Sequence, residues 1–332
     1  ILLPVVAFGV TLLIFALLQF LEPEMRAATF ITDPRQLSAL DEVIRKYGLD
    51  KPVYVQYWNW MRELFHGNLG WSQTARLPVS AAIGAFSRPT LELTICSFIP
   101  IMLVGVWLGT AAAVHRDKGI DHISRVLSIS FRAMPSFVWG LLILMVLYGR
   151  LNWFPPGRLS LEADLFVRSG EFHAYTGLIT VDALLNGKMW VLFDALRHLA
   201  GPVLTLTMIS IALLVRVMRS SMLEVLGQDY IRTARSKGLR EQVVLARHAF
   251  KNAAIPVITV QGIQVGFLLG GAVVIEQIFG MPGIGWMILN GIYQRDYPVV
   301  QGGVLFVAVV FVLINLLVDL VYAYLDPRIR YD

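Results

Sequence analysis

The sequence predicts an all-α membrane protein with six transmembrane helices, and three observations carry that expectation. Apolar residues make up 56% of the 332-residue chain and charged ones only 15%, with a mean hydropathy of +0.65. Soluble domains are nearer a quarter charged, so this composition asks for a solvent other than water. Six apolar runs reach roughly 20 residues, the length that a rise of about 1.5 Å per residue needs to cross about 30 Å of hydrocarbon. The connections between the runs alternate in their density of basic residues, as loops on opposite sides of a bilayer do. Disorder, collagen-like repeats and a small disulfide scaffold are excluded. The single cysteine, Cys96, cannot form an internal bridge and leaves the redox compartment open.

The runs are approximately Ile1 to Leu21, Leu91 to Val114, Val126 to Tyr148, Leu199 to Val217, Ile255 to Phe279 and Gly302 to Leu325. Backbone groups in lipid must be satisfied within their own segment, so each run reads as a helix. The first opens without a methionine or basic flank, as expected of a processed or trimmed start; no small-residue cleavage site follows it, and the sequence FLEPEM argues that it is retained. The expected organisation is a first helix over 1–21, an extracytoplasmic segment with amphipathic helices over 22–89, a five-helix core over 90–325 and a tail over 326–332. Within the core, the 149–198 loop lies outside and the 219–255 loop inside.

Orientation follows from the basic residues. Segments 115–125, 216–255 and 326–332 hold 13 Lys and Arg in 58 residues, whereas 22–89, 149–198 and 280–300 hold 14 in 139. The denser set belongs in the cytoplasm, which puts both termini there. The formal charge of +5 therefore reads as membrane orientation. No nucleic-acid partner is expected, because the basic residues are not gathered on a folded polar face. The two long outer segments are nearly charge-balanced and hold Trp58, Trp60, Trp71, Trp153 and Trp190, which suits folded structure at the headgroup level. Tyr54, Tyr57, Trp58 and Met61 fit one face of an amphipathic helix, open to interfacial packing, intersubunit packing or substrate contact.

The stretch Arg219 to Asn252 is too polar to span yet poor in helix breakers. It reads GQDYIRTARSKGLREQVVLARHAFKNAAIP from Gly227 to Pro256. Ile231, Ala234 and Arg235 share one helical side, and Gly238 offers a helix end in the left-handed conformation. A second helix is expected over Leu239 to Ala249, with Val243, Val244 and Ala246 available for burial. Pro256 suits the start of the fifth span. Two short helices joined at a glycine form a knob that a cytoplasmic partner could grip; the alternative is a basic loop facing lipid headgroups.

This loop resembles the signature loop of permease subunits of ATP-binding cassette (ABC) importers, in which a short EAA motif precedes a glycine by four residues. Aligned on Gly238, the motif falls on Arg232, Thr233 and Ala234, of which only the alanine matches. DYIRTARSKGL followed by RHAFKNAAIP, with eighteen residues from Gly238 to Pro256, is similar to the peptide/nickel-type branch. So are YGLDKPVYVQYW, HGNLGWS, RPTLELT, MPSFVWG, NWFPPGR, IEQIFGMPGIG and LDPRIR, in that order along the chain. Two departures stand out: LEPEM replaces a PGDP-like turn, and Gly67, Asn68, Leu69 and Gly70 replace a commoner acidic version.

The resemblance implies a type I ABC importer permease fold in a bacterial or archaeal cell membrane, with a coupling helix on the cytoplasmic loop. It implies a second homologous permease subunit, two ABC ATPase subunits and an extracytoplasmic solute-binding protein as partners. ATP and Mg would be bound by the ATPases and no cofactor by this chain. Contact with the ATPases would fall to Asp229, Tyr230, Arg232, Thr233, Ala234, Arg235, Lys237, Gly238 and Leu239. The cargo would be a dipeptide or oligopeptide, or else nickel or an oligosaccharide.

Catalysis by the chain itself is not expected. A phosphate-cradling GxxxxGK[ST] loop is missing, since Gly187 and Lys188 are followed by Met189. Six scattered histidines form no HExxH pair, and no nucleophile and base stand together. Ionisable residues inside the runs are Glu92, Arg132, Arg216, Glu276 and Asp319. Each costs roughly 2.5–3.5 kcal/mol near a bilayer centre, but they form no proton-carrying chain along one helix. In the fifth run, Gly262, Gly266 and Gly270 recur every four residues and predict a close helix approach. The partner helix could lie within the subunit or across the paired permease, where these glycines and Glu276 would border the translocation path. A secondary transporter is the rival class, yet the internally repeated halves such a protein often has are not evident.

Overall fold

The computed structural model describes residues 2–31, 40–269 and 272–325. The chain opens with α1 (Leu2–Leu18), apolar but for Thr11, followed by α2 (Pro23–Ala27), α3 (Leu40–Tyr47) and α4 (Val53–Phe65). Trp71–Ser72 and Leu77–Pro78 pair antiparallel, Trp71 opposite Pro78. The long helices follow: α5 (Val79–Val114), α6 (Gly119–Ala133), α7 (Ser136–Ile143), α8 (Leu161–Val167), α9 (Ile179–Leu185) and α10 (Met189–Leu226). The remainder is α11 (Asp229–Ser236), α12 (Glu241–Val243), α13 (Phe250–Leu269), α14 (Val273–Ile278), α15 (Ile284–Tyr293) and α16 (Tyr297–Leu325). Among the described residues four helices are long and apolar enough to cross a membrane, or five if the bent pair α6–α7 counts as one span.

That bend corrects the expected straight third span. Helices α6 and α7, with its π-helical extension to Arg150, stand 99° apart. Between them Met134 has φ −108° and ψ 145°, and Pro135 caps α7. The proline ring disfavours the helical region for the preceding residue and supplies no N–H, which suits a helix end there.

The fifth run differs too. The second loop helix does not end at Ala249. Residues Glu241–Leu269 form one continuous helix, with a π-helical turn at Val244–Ala249 and Pro256 in its interior, not at its start. No glycine lies between Gly238 and Gly262 to stop it, and membrane helices tolerate prolines because neighbours satisfy the freed carbonyl. Helix α14 is a separate element, and Gly270 and Gly271 lie outside the described residues.

The chain divides into two compact units. The first gathers the chain up to Leu91 with Leu269–Gln277 and Met281–Leu313. In it, α4 buries Gln56 and Trp60, while Tyr54 and Trp58 are 75% and 72% exposed. Of the expected face, Tyr54 and Trp58 lie on the surface while Tyr57 and Met61 pack against the buried cluster, and tertiary partners explain the division. The Gln56 amide donates to the carbonyls of Leu49 (2.9 Å) and Lys51 (2.7 Å) and accepts from Arg26 (2.6 Å), while Trp60 stacks on Phe15.

The second unit holds Glu92–Leu268, Ile278–Gly280 and the last helix from Ile314. Its long rod is α10. Glycines on α5 let α10 close up: a Cβ on Gly105 would stand 2.5 Å from Leu214 Cδ2, and one on Gly109 2.7 Å from Met218 Cβ. The 149–198 connection is folded, as expected, around Phe172, Ile179, Ala183 and Val191. It is tied to α5 by Glu92, which is 3% exposed and accepts from Arg158 Nη2 at 2.7 Å and from the Thr180 backbone N–H at 2.6 Å. Glu92 is thus spent on an internal ion pair.

Candidate functional site

Helix α11 and the turn after it form an exposed knob. Ile231 and Ala234 are 0% and 6% exposed and anchor it, with Val244 and Ala249 buried on the π-helical turn against which α11 packs. Val243 and Ala246, expected inside, are exposed; the wider π turn moves Ala249 inward in their place. Asp229, Tyr230, Arg232, Thr233, Arg235, Lys237, Gly238 and Leu239 all face outward. The predicted set therefore divides into one anchoring residue, Ala234, and eight that present a surface.

Gly238 adopts φ +72°, the left-handed conformation its position predicts, with open space where a Cβ would sit. Its N–H closes on the Arg235 carbonyl at 2.9 Å. Arg235 leaves the buried side and reaches across the turn to Glu241 with two bonds, 2.7 and 3.1 Å. Each charge favours the other, raising the Arg235 pKa and lowering that of Glu241. Both are substantially exposed, so the pair directs the turn more than it stabilises the chain. Thr233 and Ser236 hydroxyls donate back to carbonyls of Asp229 and Arg232, and Asn252 donates to the Tyr230 hydroxyl at 3.1 Å.

A second cluster, which sequence reasoning missed, sits at the foot of α10. Asp121 is fully buried and accepts from Arg219 on α10 and Arg125 on its own helix, with an added bond from the Asp117 N–H at 3.0 Å. The hydrogen-bonded arginines hold its carboxyl well below the usual carboxylate range, against the opposing effect of burial. A group with a depressed folded pKa contributes stability that is present above its unfolded pKa and lost only as pH falls through the folded value. Asp121→Asn is accordingly expected to lower the melting temperature by an amount that stays constant between about pH 8 and pH 5. A gap that shrinks across that window would contradict the assignment. The only sequence signal was an aspartate among basic residues in a loop of topogenic charge.

The candidate path residues are placed as follows. Gly262 and Gly266 are buried, and a Cβ on Gly262 would collide with Val318 of α16, so its close approach is made within the chain. Glu276 is fully buried in the first unit. Thr90 donates to its Oε1 at 2.7 Å and the Trp286 N–H to its Oε2 at 2.8 Å, while Thr90 Oγ1 accepts from the Ile284 N–H at 2.8 Å. A Cβ on Gly283 would collide with both Glu276 and Thr90. This knot holds the PGIG turn at the start of α15.

Long apolar helices carrying one projecting polar helix, anchored by two buried residues and otherwise exposed, define a membrane-embedded helical subunit. The chain belongs to the binding-protein-dependent transport system inner membrane component family. That family matches residues 105–331, and the corresponding N-terminal family matches residues 2–82. Its members are membrane permease subunits of ABC transporters in which separate subunits hydrolyse ATP, so this chain is not itself catalytic. The chain is 41% identical over 328 residues to the dipeptide transport system permease protein DppB of Escherichia coli K12, covering 97% of this chain and 94% of that one. It is 42% identical over 329 residues to the di/tripeptide permease protein DppB of Pseudomonas aeruginosa UCBPP-PA14, covering 98% and 95%. The glutathione permease protein GsiC of Salmonella choleraesuis SC-B67 is 37% identical over 325 residues, covering 97% and 95%.

Proposed function

We propose that the chain is the permease subunit through which an ATP-driven importer passes small peptides across the bacterial inner membrane. The observation that carries the substrate class is that these relatives, matched end to end, are named for dipeptides, di- and tripeptides and glutathione, itself a tripeptide. A second homologous permease, two ABC ATPases that bind ATP and Mg, and an extracytoplasmic solute-binding protein complete the assembly. Basic density puts α11 and both termini on the cytoplasmic side. There the outward residues from Asp229 to Leu239 engage the ATPases, and ATP-driven movement of α11 passes through α10 and α13 to the gate. Gly262 and Gly266 keep the helices that carry them close to their neighbours, and Glu276 holds the PGIG turn.

The test is cross-linking in the assembled transporter. Thr233→Cys, in a Cys96→Ala background, is expected to cross-link to an ATPase subunit, and vesicles holding the full assembly to take up dipeptide only with ATP inside. Uptake driven by an ion gradient with no ATPase present would establish a secondary transporter instead.

A further inference from the structure

The buried carboxylate of Asp121 is shared by guanidinium groups from two helices, and only one of those helices carries the knob. Arg125, one turn along α6, donates Nε to Oδ1 at 3.2 Å and Nη2 to Oδ2 at 2.5 Å. It also reaches Asp117 Oδ1 at 3.0 Å. This arm closes within α6 and the turn before it, so it stays intact however α6 moves. Arg219 approaches from α10 as a fork, Nε to Oδ1 at 2.6 Å and Nη2 to Oδ2 at 2.9 Å. This arm crosses between helices and resists their separation. Side-chain exposure falls from 43% for Arg125 to 22% for Arg219 and 0% for Asp121.

The surrounding helices give that crossing arm a direction. Helix α10 runs unbroken for 38 residues to Leu226. Its connection to α11 is only two residues long: the Gly227 and Gln228 N–H groups close on the Glu224 and Val225 carbonyls at 3.2 and 3.1 Å, Gln228 turns extended at ψ 151°, and its carbonyl caps α11 through the Ile231 N–H at 3.1 Å. A push on α11 therefore crosses one tight two-residue turn and then reaches Arg219, two turns back along a continuous helix. At its other end α6 stops at Met134, where the next helix departs at 99°. The clamp thus joins a rod attached to the knob with a helix that ends in a bend.

We propose that Asp121 and Arg219 are positioning residues that pass movement of α11 from α10 to α6, and so to the bend at Pro135. The inference rests on the reading of α11 as the ATPase-docking helix. A two-bonded arginine–carboxylate fork suits this task because it is directional and stiff, and because parting it leaves the buried Asp121 with one guanidinium where it had two. The apolar contacts of the same two helices can slide; the fork cannot without breaking.

The two arms supply the experiment, since Arg219→Gln and Arg125→Gln each leave Asp121 with one guanidinium. In the full transporter reconstituted in vesicles, dipeptide uptake per ATP hydrolysed is expected to fall about tenfold for Arg219→Gln and to stay within about twofold for Arg125→Gln, a difference typical of coupling between sites. Arg219→Lys, which restores the charge without the fork, is expected to recover part of the loss and carries the test alone should Arg219→Gln not assemble. A purely stabilising role predicts that melting temperature moves while uptake per ATP does not. Equal losses in the two Gln variants, no loss in either, or full recovery by lysine would overturn the relay. The Thr233→Cys cross-link separates the two ideas. A cross-link retained in Arg219→Gln with a lowered ratio supports the relay, a retained cross-link with an unchanged ratio removes the relay alone, and no cross-link with Arg219 intact removes the docking reading and the relay with it.

Discussion

Replacing Gly238 with valine is expected to leave the assembled transporter hydrolysing ATP and to cut dipeptide uptake per ATP about tenfold, within the usual range of coupling between sites. The reason is backbone, not space. Gly238 holds φ +72° with nothing near the position of a Cβ, so valine meets no neighbour. It does meet the penalty of the left-handed region, roughly 1–3 kcal/mol for a residue held there and worst for a β-branched one. The turn relaxes by changing φ, which parts Arg235 from Glu241 and re-aims α11 while Ile231 and Ala234 remain buried. Gly238→Asn provides the control, because asparagine tolerates this conformation and is expected to retain most of the coupling. Parallel measurement of hydrolysis and uptake in vesicles decides the matter; a valine variant with wild-type coupling means the turn plays no part in it.

Gly283→Ala and Glu276→Ala are each expected to reduce the yield of folded protein greatly, for opposite reasons at one place. An alanine methyl at 283 is driven into the Glu276 carboxylate and Thr90, and overpacking of a closed site costs about 1–3 kcal/mol or more. Removing the Glu276 carboxylate instead strands the Thr90 hydroxyl and the Trp286 N–H, at about 1–3 kcal/mol for each buried group left unpaired. Combining the two substitutions relieves the collision with the carboxylate but neither the one with Thr90 nor the stranded donors, so the double variant is expected to lose more than Glu276→Ala alone and less than the sum of the two. Thermal unfolding of the detergent-purified protein measures all three. Additive losses would show that glycine and carboxylate do not share a site.

Much of the docking helix was legible before any coordinates. Apolar residues at 231 and 234, a glycine at 238 and the lack of breakers between them specify a short helix with a left-handed end through local rules alone. The break at Met134 was legible in principle, since Pro135 disfavours helix at the residue before it, but hydropathy averaged over a span conceals one proline. The reverse error occurred at Pro256, which reads as a helix start and instead lies within a helix that has no other reason to stop.

The charged clusters were not legible in this way. Asp121 and Arg219 are 98 positions apart, and Thr90 lies 186 from Glu276. Each looked like topogenic charge or an isolated intramembrane cost, because a sequence shows that a charge needs a partner without showing which. The same holds for Gly262, whose four-residue spacing announced a close approach while leaving its partner, Val318, unnamed.

Composition and order along the chain by themselves determined the membrane class, the helical architecture, the family resemblance and the position of α11, because these depend on run length, local backbone preference and short motifs. Only the tertiary structure decided which face of α4 is buried, where the third span bends, and that Asp121 clamps α6 to the rod behind the docking helix. Those outcomes rest on contacts between residues far apart in the chain, whose pairing is settled by the packing of whole helices and leaves no trace in spacing.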